Sequence, residues 1–361
     1  MKFPEFLSFM DRLAAASPRE RLGEGERILV LSDLHMGNGG SRDDLRHNRE
    51  LLVSSLSRYY LERGWKLVLN GDIEELSKFE LPGIREAWGE LYELFGAFHE
   101  RGLLRKIVGN HDLRLELERG YPWPVLPSLL LEWREGRRLL LFHGHQATGF
   151  YLKYDRVQDF LLRWLARPLG IRNRSASRDP RKRVAAERRI YRAARMRGLI
   201  AVVGHTHRPL FESLGKRDSL RFAIERLLDD YARAEEWLKP DIRELIEVYR
   251  GELERMRRKE ARQEPSLSSC ERGGLLVPCY FNSGTAIGKH GYTALELEGS
   301  SISLVLWAGS PARDYIEREA LQREELEGGP FARYVLKRDG LGRVFDRIEL
   351  LSGPLGPEAA R

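Results

Sequence analysis

Five short apolar runs, each closed by a polar cluster, constrain this chain more than any other feature. They are RILVLSD (27–33), KLVLNGD (66–72), LRKIVGN (104–110), RLLLFHG (138–144) and LIAVVGH (199–205). Their hydrophobicity is continuous rather than alternating, which predicts strands covered on both faces. Helical patterns lie between the first of them, over 45–62 and 84–101. Strand alternating with helix predicts βαβ units, an α/β fold and a largely parallel sheet.

The runs end in related chemistry. Asp33 and His35 close the first, Gly71-Asp72 the second, and Gly109-Asn110-His111-Asp112 the third. His143-Gly144-His145 close the fourth and Gly204-His205-Thr206-His207 the fifth. Ligands of open α/β sheets bind beyond the carboxyl ends of the strands, so all five clusters are expected to meet on one edge. Imidazole and carboxylate together form a donor set suited to Mn, Fe or Zn, whereas an all-oxygen set would favour Mg or Ca. Two ions about 3.5–4 Å apart can clamp the attacking and leaving oxygens of a phosphoryl transfer and make hydroxide available near neutral pH. The adjacent glycines allow sharp turns and close approach of the backbone. Glu74 and Glu75 read as capping or ion-pair residues, with support of the metal ligands as the alternative. His47, His99 and His290 lack such a context and read as structural or surface residues.

The rest of the chain bounds the setting. At 361 residues, 42% apolar, it can fill a large core. It carries no run near the roughly 18 apolar residues of a membrane span and no secretory leader pattern at its N-terminus. Cys270 and Cys279 are too few for a thiolate metal site and fit a reducing compartment, so a cytoplasmic location is expected. The net charge of +7 is uneven: residues 153–197 hold fifteen Lys/Arg against four acids, or +11, leaving −4 for the remainder. In this basic region Tyr151, Tyr154, Val157, Leu161 and Trp164 predict an amphipathic helix over 150–165. An Arg-rich loop (172–183, with Pro180) leads into a second basic helix ending near Gly198. Residues 219–262 read as two helices broken at Lys239-Pro240-Asp241, with Ile242, Leu245, Tyr249, Leu253 and Met256 on one face. Strand character returns at 279–287 and 292–307, and beyond Gly309 the pattern specifies no fold.

The ordered blocks DLH (33–35), GD (71–72), GNHD (109–112), HGH (143–145) and GHTH (204–207) resemble the signature of the calcineurin-like metallophosphoesterases. The resemblance covers about 27–210 and the returning strands at 279–307. It implies a four-layer α/β/β/α sandwich with helical insertions. The domain is expected over 25–310, with a basic helical lid at 150–198, a charged helical insertion at 215–268 and a C-terminal extension over 311–361. It also implies two divalent transition-metal ions, Mn²⁺ foremost, with Fe, Zn or Mg as alternatives. One would be held by Asp33, His35, Asp72 and His207, the other by Asp72, Asn110, His143 and His205. His111, positioned by Asp112, would protonate the leaving group or stabilise the charged transition state after attack by metal-bridged hydroxide.

Within the family, SDLHMG (32–37), the block spacing and the basic insertion resemble the UDP-2,3-diacylglucosamine pyrophosphatase group. That resemblance implies a lid carrying the substrate, with His145, Arg163 and Arg167 as substrate-binding residues and Phe150, Tyr151, Tyr154, Phe160, Trp164 and Leu165 on the acyl side; packing of these residues onto the core is the alternative. Two departures stand out: that group commonly has Arg where His111 stands, and it lacks the insertion at 219–262. The expected substrate carries a phosphodiester or pyrophosphate, as in a nucleotide-linked lipid, and the basic lid could also rest on an anionic membrane. A general phosphomonoesterase, a cyclic-nucleotide phosphodiesterase or a nuclease would use the same metals. Nucleic acid is the weaker candidate partner, because few aromatics for base stacking lie within 172–197.

Overall fold

A computed structural model describes residues 3–118, 120–148, 180–259 and 275–352. All five apolar runs form strands: Arg27–Leu31, Lys66–Asn70, Leu104–Ile107, Arg137–Leu141 and Ile200–Val203. They do not share one largely parallel sheet. The first three are adjacent and parallel in an eight-stranded sheet, and the last two are parallel neighbours in a seven-stranded one. Both sheets also contain antiparallel pairs. A strand buried on both faces reads alike in either arrangement, so continuous apolarity could not count the sheets.

Alternation along each strand separates two cores. Ile28, Val30 and Val68 join Leu140, Val202 and Leu297 in a cluster shared by both sheets. Leu29, Leu31, Leu67 and Leu69 turn the other way and meet Leu52, Leu56, Trp88, Leu91 and Phe95 of the flanking helices. The shared cluster also takes Phe6 and Met10 from helix Phe3–Ala16, Ile190 and Tyr191 from helix Pro180–Arg197, and Phe345 from helix Leu341–Ser352. Helices outside two stacked sheets give the α/β/β/α sandwich.

The second basic helix is therefore a packing layer. Val184, Ala186, Ile190, Tyr191, Ala193 and Ala194 are buried. Several of its charges are engaged within the fold: Glu187 pairs with Arg208, and Arg197 with Asp11. The expected helix at 150–165 and the Arg-rich loop up to residue 179 lie outside the described residues. In the insertion, helices Lys216–Arg233 and Lys239–Lys259 form a hairpin, with Leu245, Tyr249, Leu253 and Met256 packed on Leu220 and Tyr315. The break precedes Lys239, because Pro240 sits in the first turn, where its missing N–H leaves no helical bond unmade.

Beyond Gly309 the chain adds helix Asp314–Glu319 and then strand Gln322–Glu325, which pairs with strand Phe331–Gly340. Phe331–Gly340 in turn runs antiparallel to Ser301–Gly309 and extends the larger sheet. A buried ion pair between Arg333 and Glu296 lies within it, and Tyr60 Oη donates to the same carboxylate at 2.7 Å. Among the described residues no helix is long and apolar enough to cross a membrane.

Candidate metal centre

The strand ends are built from backbone that ordinary residues avoid. Asp33, His35, Asp72, His205 and His207 all hold positive φ, between 49° and 66°. Such conformations cost on the order of 1–3 kcal/mol each and persist only where the surroundings over-determine them. Here the loops are laced together. Asp33 N donates to Gly71 O at 3.0 Å, His35 N to Asp72 O at 3.0 Å and Met36 N to Ile73 O at 2.8 Å. Gly71, at φ 86°, leaves no room for a side chain: a Cβ there would stand 2.5 Å from ring atoms of His143. A Cβ on Gly109 would overlap the carboxylate and backbone nitrogen of Asp72.

Two triads result. In the first, His207 Nε2 lies 3.1 Å from Asp33 Oδ1 and 3.0 Å from His35 Nε2. In the second, His143 Nε2 lies 3.1 Å from Asp72 Oδ2, with His205 beside it. The ligand atoms within each triad stand within 4.8 Å of one another. Asp72 lies between the triads, its Oδ2 also 3.9 Å from His35 Nε2. Asn110 Oδ1 and both ring nitrogens of His205 are buried without a hydrogen-bond partner. Leaving such atoms unpaired is costly, and a divalent cation would satisfy them. The set of imidazoles, carboxylates and one amide oxygen thus fits metal ions.

Supporting bonds set the ring orientations. His143 Nδ1 donates to Asn70 O at 2.9 Å, which aims Nε2 at Asp72. Asp33 Oδ2 accepts from His205 N at 2.9 Å and from Ser32 Oγ at 2.5 Å. Burial opposes a charge on His35, yet the carboxylates of Asp33 and Glu75 hold its pKa up at about 10. Burial likewise opposes a charge on His143, and Asp72 with Asp33 raises it to about 9. For His205, burial and the neighbouring His143 lower it to about 3. Burial would raise Asp33 and Asp72, but the surrounding histidines keep both well below the usual carboxylate range. Without metal, protons on the histidines balance the acids.

His111 stands beside this centre, its Nε2 4.0 Å from Asp72 Oδ2. The residue that orients it is not Asp112. The carboxylate of Asp112 is fully buried, taking Lys106 Nζ and Ile73 N on Oδ2 and Gly109 N on Oδ1. Glu75 takes the expected place: Oε1 accepts from His111 Nδ1 at 2.6 Å, and Oε2 meets His35 Nδ1 at 3.1 Å. Ser77 Oγ adds a contact to His111 Nδ1 at 3.1 Å, and Lys78 Nζ reaches Glu75 Oε2 at 3.0 Å. Glu74 points elsewhere, to Lys106 and the hydroxyls of Tyr92 and Tyr121. The pairing follows from the turn after Asp72. Glu75 N bonds to Met36 O, and Leu76 N bonds to His111 O, which brings Glu75 between the two rings.

These strand-end ligands match a known plan. A sequence model of calcineurin-like phosphoesterases fits residues 26–209. The chain belongs to that family. Comparison with curated proteins gives no match. As a calcineurin-like phosphoesterase it is a metal-dependent hydrolase of phosphoester bonds, and its His/Asp clusters can hold the metals. In this phosphoesterase His145 is only 2% exposed, its ring 5.5 Å from that of His143 and 6.4 Å from that of His205. Burial, reinforced by His143 and His205, pushes its pKa well below the ordinary histidine value. It backs the ligands rather than presenting a ring at the surface. Arg163 and Arg167 lie outside the described residues. Sequence reasoning named Glu75 but not its bonds; its one signal was a carboxylate three residues after Asp72.

Proposed function

We propose that this phosphoesterase hydrolyses a phosphodiester or phosphoanhydride bond with two divalent transition-metal ions, Mn²⁺ foremost. Asp33, His35, Asp72 and His207 would hold one ion, and Asp72, Asn110, His143 and His205 the other, with Asp72 common to both. The observation that carries this reading is the pair of triads with Asp72 between them. Bound there, the ions supply charge neutralisation for the phosphate and a nucleophile at neutral pH. The chain's own part is orientation and proton transfer. Asn70 and Glu75 fix the rings of His143 and His35 so that Nε2 of each faces the carboxylates. Glu75 holds His111 by Nδ1, so its Nε2 side faces the centre and can hand a proton to the leaving oxygen.

For the natural substrate we propose a nucleotide-linked lipid such as UDP-2,3-diacylglucosamine, on the strength of SDLHMG, the block spacing and the basic segment. Helix Pro180–Arg197 spends its apolar face on the sandwich, so that face is not the one proposed to meet the lipid. Hydrolysis of bis-p-nitrophenyl phosphate with and without Mn²⁺ tests the reaction class. Mn²⁺-dependent turnover is expected, and turnover indifferent to chelation would overturn it. Comparison of that diester with a nucleotide-linked lipid then tests the substrate; equal or poorer kcat/KM on the lipid would remove it.

A further inference from the structure

Behind the strand-end loops lies a buried charge cluster for which the proposed reaction has no direct use. Lys106, on strand Leu104–Ile107, is 1% exposed, with Leu104 and Ile107 buried beside it. Burying an ammonium costs several kcal/mol unless it is closely paired. Its Nζ donates to Asp112 Oδ2 at 2.5 Å and stands 2.9 Å from Glu74 Oε2. Glu74 is itself fixed by the hydroxyls of Tyr121 at 2.7 Å and Tyr92 at 3.1 Å. Asp112 reaches forward: Ile73 N donates to Oδ2 at 2.9 Å and Gly109 N to Oδ1 at 2.5 Å. Ile73 directly follows Asp72, and Gly109 directly precedes Asn110. One carboxylate therefore joins the loop carrying Asp72 to the loop carrying Asn110 and His111, and one ammonium anchors that carboxylate to the sheet.

We propose that Lys106 is a positioning residue for the metal centre, fixing through Asp112 the spacing between Asp72 and the Asn110–His111 pair. The inference rests on the dinuclear reading given above. Two features make that spacing critical. Asp72 holds a left-handed backbone at φ 54°, a conformation that relaxes once its surroundings loosen. Gly109 lies against the Asp72 carboxylate so closely that a Cβ would overlap it, so any drift of one loop displaces the other. His143 and His205 come from the other sheet, and the bonds that seat them, to Asn70 O and Asp33 Oδ2, do not run through Lys106 or Asp112. The ion that uses Asn110 is thus the one expected to suffer when the anchor is lost.

Lys106→Met keeps most of the side-chain length and removes the ammonium. Mn²⁺ binding is measured by calorimetry, alongside the Mn²⁺ concentration that half-activates bis-p-nitrophenyl phosphate hydrolysis, kcat, KM and Tm. Loss of an outer hydrogen-bonding partner typically lowers metal affinity about 10–100-fold. One of the two Mn²⁺ sites should shift by that factor and kcat should fall, with KM at saturating Mn²⁺ near the wild-type value. If Lys106→Met does not fold, Glu74→Gln/Lys106→Met removes one charge of each sign. It should show the same shift relative to Glu74→Gln alone. A folded variant with unchanged Mn²⁺ affinity and kcat, altered only in Tm, would overturn the proposal by making Lys106 a purely structural residue. Wild-type protein that binds Mn²⁺ without hydrolysing either diesters or phosphoanhydrides would sink the proposed reaction alone, while wild-type protein that binds no divalent metal would overturn both.

Discussion

Replacing Glu75 by Gln tests how the proposed acid is held. Glu75 is 2% exposed, and each of its oxygens serves a different ring, Oε1 facing His111 and Oε2 facing His35. Glutamine keeps the shape but has a single acceptor oxygen, so only one Nδ1–H can be satisfied. The choice is biased, because Lys78 Nζ also lies 3.0 Å from Oε2. An amide NH₂ cannot face an ammonium, so the amide oxygen should stay with His35 and Lys78. His111 then meets an NH₂ group and loses a charge-assisted bond worth about 1.5–3 kcal/mol. If that stabilisation is spent on proton transfer, the loss is roughly 10–150-fold in kcat at about 1.4 kcal/mol per decade. The assay is kcat for a series of aryl phosphodiesters at saturating Mn²⁺, together with the Mn²⁺ requirement. Poor leaving groups should lose the full factor and good ones little, with the Mn²⁺ requirement nearly unchanged. A uniform loss across leaving groups, or a loss seen only in Mn²⁺ affinity, would refute the reasoning and place Glu75 in service of His35 alone.

Two further outcomes are expected. His111→Ala should retain its metals by elemental analysis while kcat falls about 10²–10⁴-fold, the usual worth of a general acid. Good leaving groups should again narrow the loss. The second concerns pH. His35 and His143 are held at about 10 and about 9 in the metal-free protein, above the ordinary 6.5. The folded state then binds more protons than the unfolded chain across that window. The contribution to stability is full below about pH 6.5 and is lost as pH rises toward 10. Thermal melts of chelated protein should therefore fall over this range. Metal must displace the same protons, so Mn²⁺ affinity should climb with pH and binding should release protons, read by calorimetry in buffers of different ionisation enthalpy.

The strands were legible because burial on both faces leaves an unbroken apolar run. Ile28 and Leu29 face different cores, yet both are apolar. Their polar endings were legible for the same reason, since a Gly, Asp, Asn or His cluster has no place inside such a strand. Pairing was not legible. Arg19–Arg21 lies beside Leu129–Trp133, and Phe331–Gly340 beside Ser301–Gly309; neither charged strand advertises its partner. Arg333 sits fully inside the sheet because Glu296, itself bonded by Tyr60, meets it from another strand, a compensation that no local pattern records. At the site, neighbouring residues diverge in the turn after Asp72: Glu74 goes to Lys106 and Glu75 to the histidines. Periodicity describes regular strands and helices, so it could not separate Glu75 from Asp112 as the partner of His111.

The shared position of Asp72 is the centre of the proposal, and metal content tests it most directly. Purified wild-type protein, loaded with Mn²⁺ and freed of excess, should carry two ions per chain. Asp72→Ala removes the carboxylate that lies between His35, His143 and His111, and should lose at least one ion together with turnover. Two ions retained in Asp72→Ala with near-normal hydrolysis would contradict a centre built around that carboxylate.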